Sequence, residues 1–363
     1  MKAQGFEINP HLKPQKYEKN ILRKIHQTKR LEQLKKHKKF IMKNISKIKK
    51  YSINGNDIEP EKIDLSLVEI IDYKQPESNI FLWWNLVWWS LPYTKPIGRQ
   101  MRFLVWDSFH DAPFGLIGLQ SPPLRSSVRD LYLGLSNTKD HCWINQSFYG
   151  QRIGALPPYN ELLGGKMIAM SLTSNEIREA YANKYENKIT LLNKETLPPR
   201  LLFITTTSAY GKSSVYERLK YNDDKISEFI GYTSGYGTFH ISQTLYEELL
   251  KYLESKGIDT KRGYGTGPSR KLDLIKNAFR KLSIPKYIFH NIKRGYYIFS
   301  NVHNLKEVIH NNKKPIWFDR PFKRLEEFWL ERWCLPRSDR IDKWKRFEST
   351  VFFKEVINEL NNL

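Results

Sequence analysis

The 363-residue chain carries 60 Lys and Arg against 38 Asp and Glu, a formal net charge of +22, with 40% hydrophobic and 13% aromatic residues. That composition excludes a disordered chain and allows a sizeable core, and the charge calls for a polyanionic partner, nucleic acid being the usual one. Cys142 and Cys334 make neither a disulfide framework nor a zinc set, and residues 1–10 lack a secretory apolar core, so a cytoplasmic protein is expected.

The charge is concentrated at the start. Residues 1–50 hold 16 Lys or Arg and three acids, Glu7, Glu18 and Glu32, a net +13, and the rest of the chain carries +9. Ile21, Ile25, Leu31, Leu34, Ile41, Ile45 and Ile48 recur at spacings near three and four with lysines between them. That pattern predicts an amphipathic helix with a narrow apolar seam. Lys35, Lys36, Lys38 and Lys39 are its candidate phosphate contacts. The seam packs either on the body or on another chain. Residues 51–78 read as a turn-rich linker, 79–305 as an α/β core, and 306–363 as an extension rich in aromatics and bases. The longest apolar stretch, 80–91, is interrupted by Asn85 and too short to span a bilayer, so no membrane partner is expected.

Within the core, 102–106 and 114–119 read as a hairpin, and 132–135 and 153–156 as strands. A helical period covers 167–185, followed by a buried strand at 201–207, a helix at 213–220 and a strand at 229–233. Helices at 241–255 and 272–282 and strands at 286–289 and 295–299 complete it. Such an order argues a mixed α/β sheet.

Three segments carry candidate chemistry. In LPPYNELLGGKMIAM a strand ends, two glycines allow close backbone approach, and a helix opens with free N–H groups. Gly164, Gly165 and Lys166 form either a cradle for a phosphate or pyrophosphate, or a tight turn with a surface lysine. In TTTSAYGKSS, Thr206 stands where a P-loop needs glycine, which disfavours an NTPase of that kind. Thr207, Ser208, Lys212, Ser213 and Ser214, with Arg218 beyond, remain as a second anion site or as an ordinary strand end and cap. GYTSGYGTFH and RGYGTGP are hairpin turns, or loops offering Tyr232, Tyr236 and Tyr264 for base stacking beside Arg262 and Arg270. His240 titrates near neutrality or serves structure. No metal-ligand set stands out, and Asp107, Asp111, Asp223 and Asp224 read as loop acids, which disfavours a nuclease.

Arg99-x-x-Arg102-Phe103 with VWD, then FGLIGLQSPP, VRDLYLGLS, GALPPYNELLGGKMIA, LLFITTTSAYGKSSVYERLK, GYTSGYGTFHI and YGTGPSRKLDLIKNA follow one another in order. Over roughly residues 80–300 this series resembles the DruA family, named from the Druantia anti-phage system. Some members read Tyr-His-Tyr-Leu-Gly before the first strand, where this chain has SLPYTKPIGRQMRF without the histidine. The resemblance implies a role in defence against phage, with other defence-system subunits as possible partners. The element order is in turn similar to the GCN5-related N-acetyltransferase fold. There a glycine turn at a helix start grips the pyrophosphate of an acyl-CoA, and a tyrosine on the next helix protonates the departing thiolate. That likeness assigns Gly164, Gly165 and Lys166 to acyl-CoA and Tyr216 to the acid, although the glycines of NELLGG are adjacent rather than at the usual spacing.

The expectation is therefore a mixed α/β protein, its central mixed sheet preceded by a long basic N-terminal helix, that binds DNA within an anti-phage system. The alternatives are an acetyltransferase-like enzyme acting on a base, a protein or a small molecule, and a structural subunit that forms an oligomer through its arm.

Overall fold

Thirty-two residues without glycine or proline, Lys19–Lys50, form one helix, α1, in the computed structural model. At 1.5 Å per residue it is about 48 Å long. The structure describes residues 1–8, 11–96, 98–135, 141–190, 194–261 and 270–363. No side chain caps the start of α1, and its lysines repel one another, so tertiary packing holds it. Leu22, Ile25, Leu34, Ile41 and Ile48 are buried, packed largely against α2 (Pro76–Val87) and α12 (Ser349–Asn361). The apolar seam is thus used inside the chain. Ahead of α1, β1 (Phe6–Ile8) and β2 (Leu12–Pro14) pair antiparallel.

The central sheet starts with β3 (Leu65–Glu69), inside the stretch read as a linker, and continues with β4 (Gln100–Asp107) and β5 (Ala112–Gln120). Then come α3 (Ser127–Leu133), α4 (His141–Ile144), β6 (Ser147–Ala155), α5 (Gly164–Ser171), α6 (Asn175–Tyr185) and β7 (Phe203–Thr207). A small ribbon, β8 (Lys220–Tyr221) with β9 (Asp224–Lys225), precedes β10 (Glu228–Tyr232). Helices α7 (Gln243–Ser255) and α8 (Arg270–Lys281) intervene before β11 (Gly295–Ser300). The chain ends with α9 (Leu305–Asn311), α10 (Phe322–Trp329), a π-helical turn at Leu330–Cys334, α11 (Leu335–Ser338) and α12. The seven strands lie in the order β10-β11-β7-β6-β5-β4-β3, and every neighbouring pair is antiparallel except β6 with β7.

Alternation along the strands serves two cores. Phe103 and Val105 face a core with α5, α6 and α10, whereas Leu104 faces one with α1, α2 and α12. The second holds the aromatic segment: Trp83 and Trp84 meet edge-on at 5.2 Å, and Phe352 stacks on Trp84 at 5.4 Å.

Four elements differ from the sequence expectation. Residues 132–135 end helix α3 and run past it, because Arg129 and Leu133 bury one helical face and Gly134 (φ 67°) terminates it. A short apolar run does not distinguish strand from helix. The helix at 167–185 is two helices. The Ser171 hydroxyl bonds back to Met167 O, and Ser174 caps α6 by accepting from the Ile177 amide. In 213–220 the chain makes turns up to β8, since the Ser213 hydroxyl accepts from the Tyr216 amide and Arg218 takes φ 59°. Residues 285–288 form a 3-10 turn instead of a strand, opened by a proline that has no amide to give a ladder.

Gly164 opens α5 close against the sheet. A Cβ there meets Tyr159 O at 2.8 Å and the Ala155 and Phe114 side chains at 2.9 Å. Gly164→Ala is expected to lower stability by about 1–3 kcal/mol, read from urea unfolding; an unchanged midpoint contradicts this packing role.

The N-terminal hairpin and α1 cover three imidazoles gathered round Phe239. His26 stacks on that ring at 4.2 Å, His290 meets it edge-on at 4.7 Å, and His240 at 5.7 Å. Burial lowers the pKa of His26 to about 3, of His240 to about 4 and of His290 to about 3, with the Arg294 charge adding to the first and last. Each group titrates near 6.5 once unfolded. The stability they contribute is therefore complete above pH ~6.5 and is lost as pH falls from there towards 3. At pH 5 unfolding takes up close to three protons at these sites by that linkage. A His240→Gln variant should show a pH slope of the urea midpoint smaller by about one proton, and an unaltered slope overturns the assignment.

Candidate functional site

The parallel pair holds only from Ser147 opposite Phe203 to Gly150 opposite Thr206. β7 then ends at Thr207, while β6 runs on to Ala155 paired with β5. A gap opens where the two strands part. The β5–β6 register shifts at Gln151, with Gly118 opposite Arg152 and Leu119 opposite Gly150. This bulge turns Tyr149 and Arg152 to the same face of the sheet.

Arg152 is 4% exposed. Its Nε donates to Asn85 Oδ1 at 2.6 Å and its guanidinium lies over Trp89 at 4.8 Å. The Tyr149 and Thr207 hydroxyls are 2.7 Å apart. Arg294 donates through Nη2 to His26 Nε2 at 3.2 Å. Neutral His26 therefore carries its proton on Nδ1, which is buried without an acceptor. Ser208 fixes the end of β7: its hydroxyl donates to Gly211 O and accepts from the Gly295 amide at 2.9 Å.

Residues 88–96 roof the gap. Trp88 Nε1 donates to Ala155 O at 3.3 Å, Ser90 meets the Tyr210 hydroxyl at 3.3 Å, and Gln151 Nε2 donates to Thr94 Oγ1 at 2.6 Å. Gln33 of α1 clasps the backbone of Tyr93 with two bonds of 2.6 Å. Burial lowers Arg152 to about 9 and also lowers Arg294. Among the described residues no Asp or Glu pairs with either guanidinium. Burial pushes the Tyr149 and Tyr216 phenols up.

The structure brings some of the singled-out residues to this gap and scatters the rest. Thr207 and Ser208 lie at its edge. Tyr216 is buried against Tyr297 and Phe299 but within reach of the Arg152 charge. Lys212 pairs with Glu217 at 3.4 Å and covers Phe229, Ser213 accepts from the Tyr216 amide, and Ser214 and Arg218 are exposed. Tyr232 and Tyr236 are exposed near the sheet edge; Tyr236 meets Phe289 edge-on at 5.2 Å. His240, buried, bonds Tyr287 O at 2.9 Å through Nε2. Arg270 opens α8 and donates to Thr260 O. Arg262 and Tyr264 lie outside the described residues. Lys35, Lys36 and Lys39 are exposed on α1, and Lys38 is partly covered.

The turn at Gly164, Gly165 and Lys166 is covered by the C-terminal extension. Trp329 donates to Leu163 O at 3.2 Å, Arg337 donates to Glu161 O, and Lys166 lies over Trp333 at 5.0 Å. The Gly164 and Lys166 amides already donate to Tyr159 O and Leu163 O. Asp107, expected as a loop acid, is fully buried. It accepts from the Tyr159 hydroxyl at 2.8 Å and from His110 Nδ1 at 2.7 Å, and His110 Nε2 accepts from the Glu59 amide. Both imidazole nitrogens are engaged, so this network is structural. No group of His, Cys, Asp and Glu suited to a metal occurs among the described residues. A separate cavity of about 940 Å³ lies beside α6, lined by Arg99, Tyr181, Lys184, Tyr185 and Pro198 among others, and none of the candidate side chains lines it.

Arg152, Arg294, His26, Tyr149 and Tyr210 were not singled out from sequence. The one local signal was an arginine between glycines, GQRIG, inside an apolar strand.

The profile of the family described as Druantia protein DruA matches residues 16–311. The Druantia protein DruA of Escherichia coli (strain UMEA 4076-1) is 31% identical over 346 residues, covering 94% of this chain and 85% of that protein. No solved structure matches. On the extent of both matches, the chain belongs to the DruA family.

Proposed function

We propose that this protein is a DNA-binding component of a bacterial anti-phage defence system. The family, named for the Druantia anti-phage system, supplies the defence setting. The exposed face of α1 carries the DNA-binding reading. Lys35, Lys36, Lys39, Lys43, Lys47, Lys49 and Lys50 are exposed there, and among the described residues none has an ion-pair partner. Lys35, Lys39, Lys43 and Lys47 stand four residues apart, one every ~6 Å along the axis, beside a duplex whose strands each carry a charge every ~3.4 Å. The opposite face is docked, so the row is held straight before it meets a ligand. No helix among the described residues is long and apolar enough to cross a membrane.

Kinship with the GCN5-related fold finds support in the succession of hairpin, β6, glycine turn, α5 and β7. The turn itself does not fit a pyrophosphate: two of its amides have internal acceptors and the extension covers it. Gly164 is accounted for by close packing, and no acyl-transfer step follows from Tyr216.

Duplex affinity should fall steeply between about 50 and 200 mM salt. Replacing Lys35, Lys36, Lys39 and Lys43 with Glu should reduce the slope of log K on log salt by about 0.9 for each phosphate that is no longer neutralised. The thermal midpoint should hold, because these side chains are exposed. Salt-indifferent binding, or binding unchanged in the variant, overturns the reading.

A further inference from the structure

The gap between β6 and β7 brings together features that the DNA-binding reading does not use. Arg152 is buried, and beyond its Nε bond to Asn85 its two Nη atoms donate to no atom of the described residues. A buried guanidinium is ordinarily matched by a carboxylate. Here the titratable groups near it are two phenols, Tyr93 and Tyr216, which burial keeps protonated and uncharged. Arg294, partly exposed, also lacks an acid: Tyr149 and Tyr210 lie near it and His26 is its neutral acceptor. His26 Nδ1–H is a further buried donor without a partner.

Another buried arginine provides a contrast. Arg320 has Nε and Nη2 sealed without acceptors and lies over Phe318 at 3.7 Å, whereas the Nη atoms of Arg152 are not among the sealed atoms. The Arg152 fork therefore keeps a little solvent contact although the residue is 4% exposed. Two guanidiniums without a carboxylate, the Tyr149 and Tyr210 hydroxyls paired only with Thr207 and Ser90, and an imidazole N–H form a surrounding without acids. Guanidinium forks suit tetrahedral oxyanions carrying two or more acceptors.

We propose that the gap between β6 and β7 is a binding site for a small phosphorylated ligand, its phosphate held by Arg152 and Arg294. Size sets the class. The roof at residues 88–96 is pinned to Ala155, Gln33, Tyr210 and Gln151, and a duplex does not pass beneath it. Trp89 lies over Arg152 and Tyr93 is near it, and aromatic neighbours favour a ligand with a planar ring, such as a mononucleotide. The site is separate from the lysine row on the outer face of α1.

Full-length protein titrated with pyrophosphate and with adenosine triphosphate, at ionic strength matched by sodium chloride, tests this through the thermal midpoint and phosphorus NMR line widths. Both ligands are expected to raise the midpoint and broaden their own resonances. Arg152→Met and Arg294→Gln should each weaken binding at least about tenfold. Ligand-free Arg152→Met should melt no lower than the parent, because removing an unmatched buried charge relieves the fold. The Lys35, Lys36, Lys39 and Lys43 to Glu variant should bind both ligands as the parent does. Wild-type protein that neither shifts nor broadens the resonances overturns the proposal, even where a variant fails to fold. Binding that survives both arginine substitutions but disappears in the lysine variant places the anion on α1 and overturns it equally.

Discussion

The docking of α1 is the constraint on which the rest of the structure depends. Burying five Leu and Ile side chains of its seam is worth on the order of 10 kcal/mol before entropy is counted. That has to outweigh the mutual repulsion of a lysine-rich helix with no side-chain cap. The outcome reaches beyond the helix itself. With the seam docked, His26 arrives beside Arg294, Gln33 clasps the backbone of Tyr93, and the lysines are left facing outward. Both proposed anion-binding regions are consequences of that one contact, one on the outer surface of the helix and one under its inner surface.

The two regions differ in their physics. Lysines in water are screened within about 8–10 Å at ordinary salt, so a row of them attracts a polyanion without selecting its shape. Arginines out of water are costly to bury and hold their charge against a depressed pKa. They discriminate by geometry, since each missing acceptor leaves a donor unmatched. The three imidazoles between these regions stay neutral because burial acts on all of them, with the Arg294 charge adding to it at His26 and His290. A protonated cluster there would set further positive charge against the unpaired arginine.

Much of the fold was legible because it is periodic. The seam of α1, the 102–119 hairpin, the strands that became β7, β10 and β11, and helices α7 and α8 follow from spacing and composition. The exceptions have local causes. Ser171 and Ser174 divide one helical period into two helices, Ser213 diverts its segment into turns, and Leu133 gives α3 a buried face that so short a run does not reveal. β3 lay hidden in a turn-rich stretch because an edge strand five residues long carries little pattern.

The candidate site was less legible for a reason intrinsic to how it is built. Its side chains come from α1, the loop after α2, β6, the turn after β7 and the start of β11, and no two of these segments lie close enough in sequence to form a motif. Glycine pairs and hydroxyl runs drew attention instead, because they sit within a single segment. Gly164 then turned out to be required by Tyr159 O and Phe114 packed against it, and Ser208 by the need to tie β7 to β11. Such residues shape the sheet, while the groups left with unused hydrogen-bonding capacity are the isolated arginines. Unsatisfied chemistry, rather than residue type or local pattern, separates Arg152 from the many arginines that merely pack or pair, and it becomes visible only once the partners of every neighbour have been assigned.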